Sequence, residues 1–282
     1  MSSMKFTKWQ GCGNDFVLFD CREQEPADYA ALSVKVCDRH YGIGADGILV
    51  VLPSDVADFR MRIFNTDGSE AEMCGNGIRC FARYIYDCGL TKKKEFSVET
   101  GAGILVPKII LADGHVTGIQ VDMGEPHLLG DEIPVAGHDG KKVVDEPIRV
   151  EGTTYRMTGV SMGNPHCVVF VEDAENFPIE TLGSKFEHHA MFPRKTNTEF
   201  VEVKDRSHVR MRVWERGAAI TLACGTGSCA TLVAGVLNGK TDRKAEIQLD
   251  GGRLIVEWAE NNHVFMTGPA ELVFTGEMET GK

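Results

Sequence analysis

Two cysteines stand in the same local setting, Cys74-Gly-Asn-Gly77 and Cys224-Gly-Thr-Gly227, 150 residues apart. Each precedes a glycine turn that opens a stretch with helical apolar spacing. Helix N-termini carry unpaired N–H groups and a partial positive charge, so they hold anions and favour thiolates. A thiol placed there titrates below its ordinary value of about 8.5. The glycines let backbone amides approach a carboxylate closely. Two such thiols, one on each face of a carbon, suit inversion of that centre. One removes a proton, the other returns one, and the roles swap in the reverse direction. An amino-acid α-proton is far less acidic than a thiol, so the carbanion needs donors aimed at its carboxylate and a site closed to water. The amides of Gly75, Asn76, Gly225 and Thr226 are the candidate donors. Closure of two protein halves is the candidate seal.

The elements that must position these turns repeat at the same offset. Gly13-Asn14 matches Gly163-Asn164, and Arg60-Met-Arg-Ile-Phe-Asn65 matches Arg210-Met-Arg-Val-Trp-Glu215. Thr100-Gly-Ala-Gly-Ile-Leu-Val106 matches Asp250-Gly-Gly-Arg-Leu-Ile-Val256, and Thr117-Gly118 matches Thr267-Gly268. With the cysteine turns, five segments hold one register, which indicates a duplicated domain and a period too long for a solenoid. Phe16–Phe19, Ile48–Leu52, Arg60–Phe64, Phe96–Val98 and Ile104–Val106 read as short strands bounded by Gly, Asp and Pro. Ile78, Phe81, Ala82 and Ile85 share one helical face that Gly89 ends, and Cys229–Leu237 is apolar nearly all round. Further helices are expected over Asp28–His40 and near Pro178–His188. The fold class is therefore α+β: two duplicated pseudo-symmetric domains, each a curved sheet around a buried helix, with the site in the cleft between them. The expected boundaries are 1–124 with Cys74 and 125–269 with Cys224, and the Gly-, Asp-, Glu- and Pro-rich stretch Asp131–Arg149 reads as the connection.

Composition narrows the function. The 282 residues are 43% apolar and 25% charged, an ordinary globular balance. A net charge of −11 argues against nucleic-acid and acidic-membrane partners. No apolar run approaches the roughly 18 residues of a membrane span, and the polar start is unlike a signal peptide. Nine cysteines, an odd number, are thus expected as reduced thiols in the cytoplasm. Cys12, Cys21, Cys37, Cys80, Cys88, Cys167 and Cys229 read as small packing residues. No metal site is expected, because Cys74-x5-Cys80 and Cys224-x4-Cys229 lack the short spacing of zinc ligands. Gly42-Ile-Gly-Ala-Asp-Gly47 and Gly225-Thr-Gly-Ser-Cys-Ala230 imitate a dinucleotide fingerprint. The first precedes its strand, and the second recurs as a turn in the other half without βαβ alternation.

At these residues the whole chain resembles the diaminopimelate epimerase family. The resemblance rests on Gly13-Asn-Asp-Phe16, the block Asn65-Thr-Asp-Gly-Ser-Glu-Ala-Glu-Met-Cys-Gly-Asn-Gly-Ile-Arg79, Gly163-Asn-Pro-His166, and Glu215-Arg-Gly217 leading into Thr221-Leu-Ala-Cys-Gly-Thr-Gly227. Proline-racemase-like enzymes share the paired-cysteine logic and phenazine-biosynthesis-type isomerases the fold, but neither is expected to carry both blocks. The resemblance implies a cofactor-independent epimerase acting on LL- and meso-diaminopimelate in lysine and cell-wall precursor synthesis. Cys74 and Cys224 would be its acid and base, with His166 and Glu215 beside them tuning their ionisation. Asn14, Asn65, Asn164, Asn197, Glu215 and Arg216 would contact substrate, with backbone contacts at Gly75, Asn76, Gly225 and Thr226. A homodimer is implied, as are barrel-like halves with the last strand, about 270–282, returning to the first half.

Two departures stand out. Gly47 occupies a position where the family commonly has Gln, and it is the offset partner of Asn197. Ala219-Ile220 replaces a common Gly-Glu just ahead of the second cysteine. Besides this epimerase, the residues leave open another two-cysteine amino-acid racemase or epimerase and a non-catalytic amino-acid-binding module. A cysteine hydrolase would leave the second matched thiol without a purpose.

Overall fold

The computed structural model describes the backbone of residues 2–280. Residues 281 and 282 of the expected final strand lie outside the described residues. The chain divides into two compact units, one running to Val121 and resuming at Gly268, the other spanning Asp122–Thr267. The chain first forms β1 (Ser2–Gly11), β2 (Asn14–Asp20), α1 (Tyr29–Cys37), β3 (Gly47–Leu52), β4 (Phe59–Asn65), β5 (Glu70–Ala71) and α2 (Gly75–Asp87). It continues through β6 (Val98–Thr100), β7 (Gly103–Leu105), β8 (Lys108–Ala112) and β9 (His115–Asp122). Then come β10 (Glu146–Val150), β11 (Thr153–Ser161), β12 (Pro165–Phe170), α3 (Ile179–Glu187), β13 (Asn197–Asp205) and β14 (His208–Glu215). The remainder is β15 (Ala219–Ile220), α4 (Gly225–Leu237), β16 (Lys244–Gln248), β17 (Arg253–Trp258), β18 (Val264–Gly268) and β19 (Glu271–Thr280).

The two sheets share one order over seven matched strands. The first sheet runs β19-β1-β2-β3-β4-β6-β7 with β5 on β4, and the second contains β10-β11-β12-β13-β14-β16-β17-β18 with β15 on β14. The duplication persists in the hydrogen-bond register. Parallel strands pair Phe16 with Gly47 in β2–β3 and His166 with Asn197 in β12–β13. Antiparallel strands pair Ile48 with Phe64 and Thr198 with Trp214. Helices α2 and α4 begin and end 150 residues apart.

The helices sit where their sequences dictate. Asp28 caps α1, its carboxylate accepting from the Ala31 N–H at 3.1 Å. Helix α2 stops at Cys88, and Gly89 follows with φ +68°, a left-handed exit glycine adopts without strain. Helix α4 is buried on almost every side and packs against β11, β12, β13, β14, β16 and β17, which accounts for its lack of a polar face. Helix α3 runs from Ile179 with Pro178 before it, and its Ile179 and Phe186 enter an apolar cluster with Ile148, Met157, Cys167, Val169 and Phe200.

Three expectations change. The strand expected at Phe96–Val98 begins two residues later, because the Ser97 N–H is taken by the Asp58 carboxylate at 2.9 Å and not by a neighbouring strand. The stretch Asp131–Arg149 is no free connector. It lies within the second unit, where Ile133, Val135, Val143 and Ile148 are buried in the α3 cluster. Each such side chain contributes about 1.5–3 kcal/mol, so scattered apolar residues anchor a segment whose overall composition reads as loop. Cys88 is exposed at the end of α2, whereas Cys12, Cys21, Cys37, Cys80, Cys167 and Cys229 are buried.

Candidate active site

In the first unit Cys74 is the N-cap of α2. Its backbone is extended, and its Sγ accepts from the Gly77 N–H at 3.4 Å. A sulfur in the place of the usual N-cap oxygen is a sulfur held by a backbone donor, the geometry that favours a thiolate. Gly75 and Asn76 stand in the first turn, where backbone N–H groups have no acceptor within the helix and can hold an anion. The Cys74 thiol donates to Asn14 Oδ1 at 3.8 Å, and that oxygen also accepts from Asn76 Nδ2 at 3.1 Å. Asn14 is anchored at its other end, where Nδ2 donates to Asp46 Oδ2 at 2.7 Å. Asp46 shares the Arg39 guanidinium with Asp15, which also pairs with Lys8. Beneath the turn lies Arg79, fully buried, which donates to Asn76 Oδ1 at 2.9 Å, Gly75 O at 3.2 Å and Pro269 O at 3.1 Å. Asn65 ends β4 in an exposed turn, its Nδ2 donating to Ser69 Oγ at 3.0 Å.

The second unit repeats the turn in different surroundings. Cys224 is the buried N-cap of α4, its Sγ accepting from the Gly227 N–H at 3.4 Å with the Thr226 hydroxyl at 3.6 Å. Glu215, at the end of β14, accepts from the Thr221 hydroxyl and is hydrogen-bonded by Cys224. Burial raises the Glu215 pKa, with the Glu199 charge adding, against the pull of Thr221, His166 and Cys224. Burial likewise pushes the Cys224 thiol well up, reinforced by the Glu215 and Glu199 carboxylates and opposed by Thr226 and the Gly227 N–H. These surroundings favour the protonated thiol at Cys224.

His166 is fully buried on β12 and bonds through both nitrogens. Nε2 meets Asn164 Oδ1 at 3.0 Å, and Nδ1 meets Glu199 Oε1 at 2.7 Å. Asn164 passes the chain on, its Nδ2 donating to Thr226 Oγ1 at 3.3 Å. Asn197 is also buried, and its carboxamide is already committed: Nδ2 donates to Pro165 O at 2.8 Å, and Oδ1 accepts the Arg216 N–H at 2.9 Å. It thus fixes the backbone of the Glu215-Arg216 turn. The exposed Arg216 guanidinium touches Arg194 O at 3.2 Å and is open to an anion.

Each departure from the family has a structural reading. A Cβ on Gly47 would stand 2.7 Å from Phe64 O, so the close approach of β3 to β4 leaves no room for a side chain there. Ala219 adopts φ +59°, a left-handed conformation that a glycine takes freely and alanine takes at a cost.

The residue that sequence reasoning missed is Glu199, fully buried, with Oε1 on His166 and Oε2 without a hydrogen-bond partner among the described residues. The repeat held the signal. At the 150 offset, Glu199 and His166 replace Leu49 and Phe16, an ionisable pair standing where the first copy has an apolar one.

The diaminopimelate epimerase family model matches residues 6–129 and 158–273. The chain belongs to the diaminopimelate epimerase family, a family of isomerases. A diaminopimelate epimerase from Moorella thermoacetica is 57% identical over 276 residues, covering 97% of this chain and 99% of that protein. One from Agathobacter rectalis is 56% identical over 283 residues, covering 98% and 99%. Among solved structures, a Bacillus anthracis phenazine biosynthesis protein of the PhzF family shares the fold, with a TM-score of 0.69 at 19% identity, covering 99% of this chain and 100% of that one. So does an Agrobacterium vitis hydroxyproline epimerase, with a TM-score of 0.66 at 15% identity, covering 99% and 91%. Both duplicated cysteine turns lie within the matched segments of this diaminopimelate epimerase family member.

Proposed function

We propose that the chain interconverts LL- and meso-diaminopimelate by proton transfer at the α-carbon between two thiols, as a step in lysine and cell-wall precursor synthesis. The observation that carries this reading is the pair of cysteine N-caps, each with its sulfur on the backbone N–H three residues on, in a chain of this family. One thiolate takes the α-proton and becomes a thiol. The other thiol delivers its proton to the opposite face of the carbanion and becomes the thiolate. Each turnover thus exchanges the protonation states of the two cysteines, and the reverse reaction restores them. Which thiol acts first depends on which stereoisomer is bound, LL or meso. Glu215, hydrogen-bonded to Cys224, receives and returns that thiol's proton when the charge must be reset.

Carbanion charge passes onto the substrate carboxylate, where the amides of Gly75, Asn76, Gly225 and Thr226 supply donors. Asn14, Asn65, Asn164 and Arg216 are assigned to the ammonium and carboxylate groups of the zwitterion, with His166 holding Asn164 in place and Asn197 acting through the Glu215-Arg216 turn it fixes. Arg216 is suited to bidentate capture of a carboxylate. The proposed enzyme needs neither metal nor pyridoxal phosphate and works as a homodimer in the reducing cytoplasm. No helix among the described residues is long and apolar enough to cross a membrane.

The test is conversion of LL-diaminopimelate in deuterated buffer after dialysis against chelator and a carbonyl reagent. Meso product carrying solvent deuterium at the inverted carbon is expected, and Cys74→Ala and Cys224→Ala should each abolish it. Full inversion without deuterium, or wild-type turnover in either variant, refutes the two-thiol mechanism. Tight binding with unchanged stereochemistry would make the protein a binding module.

A further inference from the structure

We propose that Glu199 is a positioning residue for Cys224: through His166 and Asn164 it fixes the Thr226 hydroxyl as a donor to the thiol sulfur and makes the two cysteines unequal in the resting enzyme. The inference rests on the two-thiol reading above. Both nitrogens of His166 face oxygen atoms, Glu199 Oε1 at 2.7 Å and Asn164 Oδ1 at 3.0 Å. An amide oxygen only accepts, so Nε2 carries a hydrogen. The Nδ1 contact needs a second, held on the ring or on the carboxyl. The buried pair therefore holds two protons and is neutral as a unit, which is how an enclosed His and Glu avoid an uncompensated charge.

That proton on Nε2 locks Asn164 with its oxygen toward His166 and its Nδ2 toward Thr226 Oγ1, at 3.3 Å. The Cys224 thiol gives its hydrogen to Glu215, so Thr226 Oγ1, which accepts from Asn164, turns its own hydrogen to the sulfur at 3.6 Å. The first unit sets the opposite polarity. There Asn14 gives its Nδ2 to Asp46 and turns its oxygen toward Asn76 and the Cys74 thiol. The equivalent asparagines are thus reversed end for end, so an acceptor meets Cys74 and a donor meets Cys224. The cause lies beneath them, where Phe16 and Leu49 of the first copy become His166 and Glu199 in the second. Glu199 is confined as well as buried. Its Oε1 lies 2.7 Å from where a Cβ on Gly227 would be, against the first turn of α4. The ionisable groups around Cys224 among the described residues are Glu215 from β14, Glu199 from β13 and, through Asn164, His166 from β12.

The experiment reads each thiol without substrate. The rate of iodoacetamide alkylation of the full-length reduced protein is followed against pH, and peptide mass spectrometry separates Cys224 from Cys74. Thr226→Val, which removes the donor, should move the Cys224 midpoint up by about 0.5–1 pH unit in the wild-type background. In a Glu199→Gln background it should move nothing further, because the hydroxyl is no longer directed. Glu199→Gln alone should raise the Cys224 midpoint by a similar amount, since the directed donor is lost while the neutral pair takes no net charge with it, and leave Cys74 in place. Equal Thr226→Val shifts in both backgrounds overturn the proposal, as does a Glu199→Gln shift shared by both cysteines. If Glu199→Gln does not fold, the background becomes His166→Phe with Glu199→Leu, which copies the apolar pair of the first unit, and the same outcomes decide. An enzyme with one-sided alkylation but no epimerisation would refute the proposed reaction and leave this inference standing.

Discussion

Gly77 and Gly227 occupy the same place in the two copies, the third residue of each helix, yet alanine should act differently at each. A Cβ on Gly77 would lie 3.1 Å from Leu49 Cδ2 and 3.4 Å from Cys74 Cβ, a tight contact that a leucine methyl relieves by a small rotation. A Cβ on Gly227 would lie 2.7 Å from Glu199 Oε1 and 3.1 Å from Cys224 Sγ. Glu199 is the end of a flexible side chain, but it is fully enclosed and bonded to His166, so moving it breaks that bond. A hydrogen bond to a charged group is worth about 1.5–3 kcal/mol, while alanine in a helix gains about 0.5–1 kcal/mol over glycine. Gly77→Ala should therefore be neutral to slightly stabilising, and Gly227→Ala should lose about 1–2 kcal/mol. In a chain of this size that is a Tm drop of roughly 2–6 °C. Paired thermal melts of the reduced variants, supported by urea titration, measure the difference. Gly227→Ala melting at or above Gly77→Ala would show that Glu199 is not confined as described.

Two further outcomes follow from the surroundings of Cys224. The folded pKa of Glu215 is raised by burial, so the folded state binds its proton more tightly than the unfolded chain. Its contribution to stability is present below the ordinary carboxylate value and is lost as pH rises from there through the raised folded value. Glu215→Gln should thus melt above wild type near pH 7, with the gap closing toward pH 4, while epimerisation falls. A constant gap across that range contradicts the assignment. Ala219→Gly should relieve the left-handed strain at φ +59°. Strain of about 1–2 kcal/mol, less the greater folding entropy of glycine, about 0.5–1 kcal/mol, leaves a small gain. A calorimetric Tm above wild type is expected, and a lower one would mean that the alanine methyl packs favourably.

Much of the site was legible in one dimension because the duplication is a property of the chain. A fixed offset of 150 pairs Cys74 with Cys224 and Asn14 with Asn164, and helix α2 starts at the residue after its cysteine because glycine turns and apolar periodicity are local signals. Asn197 was harder to read. Its type and place were visible, but its work, spanning Pro165 O and the Arg216 N–H, depends on two strands meeting across a gap of about 32 and 19 residues. Phe96–Val98 reads locally as a strand, but a side chain nearly forty residues away in sequence, Asp58, takes the Ser97 amide that would pair.

The sequence by itself determined the two matched cysteines, the glycine turns after them and the helices they cap, since these follow from residue type and local spacing. Only the tertiary structure decided that the thiols are unequal. The parallel pairing of β12 with β13 brings His166 and Glu199 together over 33 residues, both fully buried, where each proton must have an oxygen or nitrogen to rest on. That constraint orients Asn164 opposite to Asn14, and no local pattern in the chain carries it, because hydrogen-bond direction is fixed by the neighbours that burial supplies.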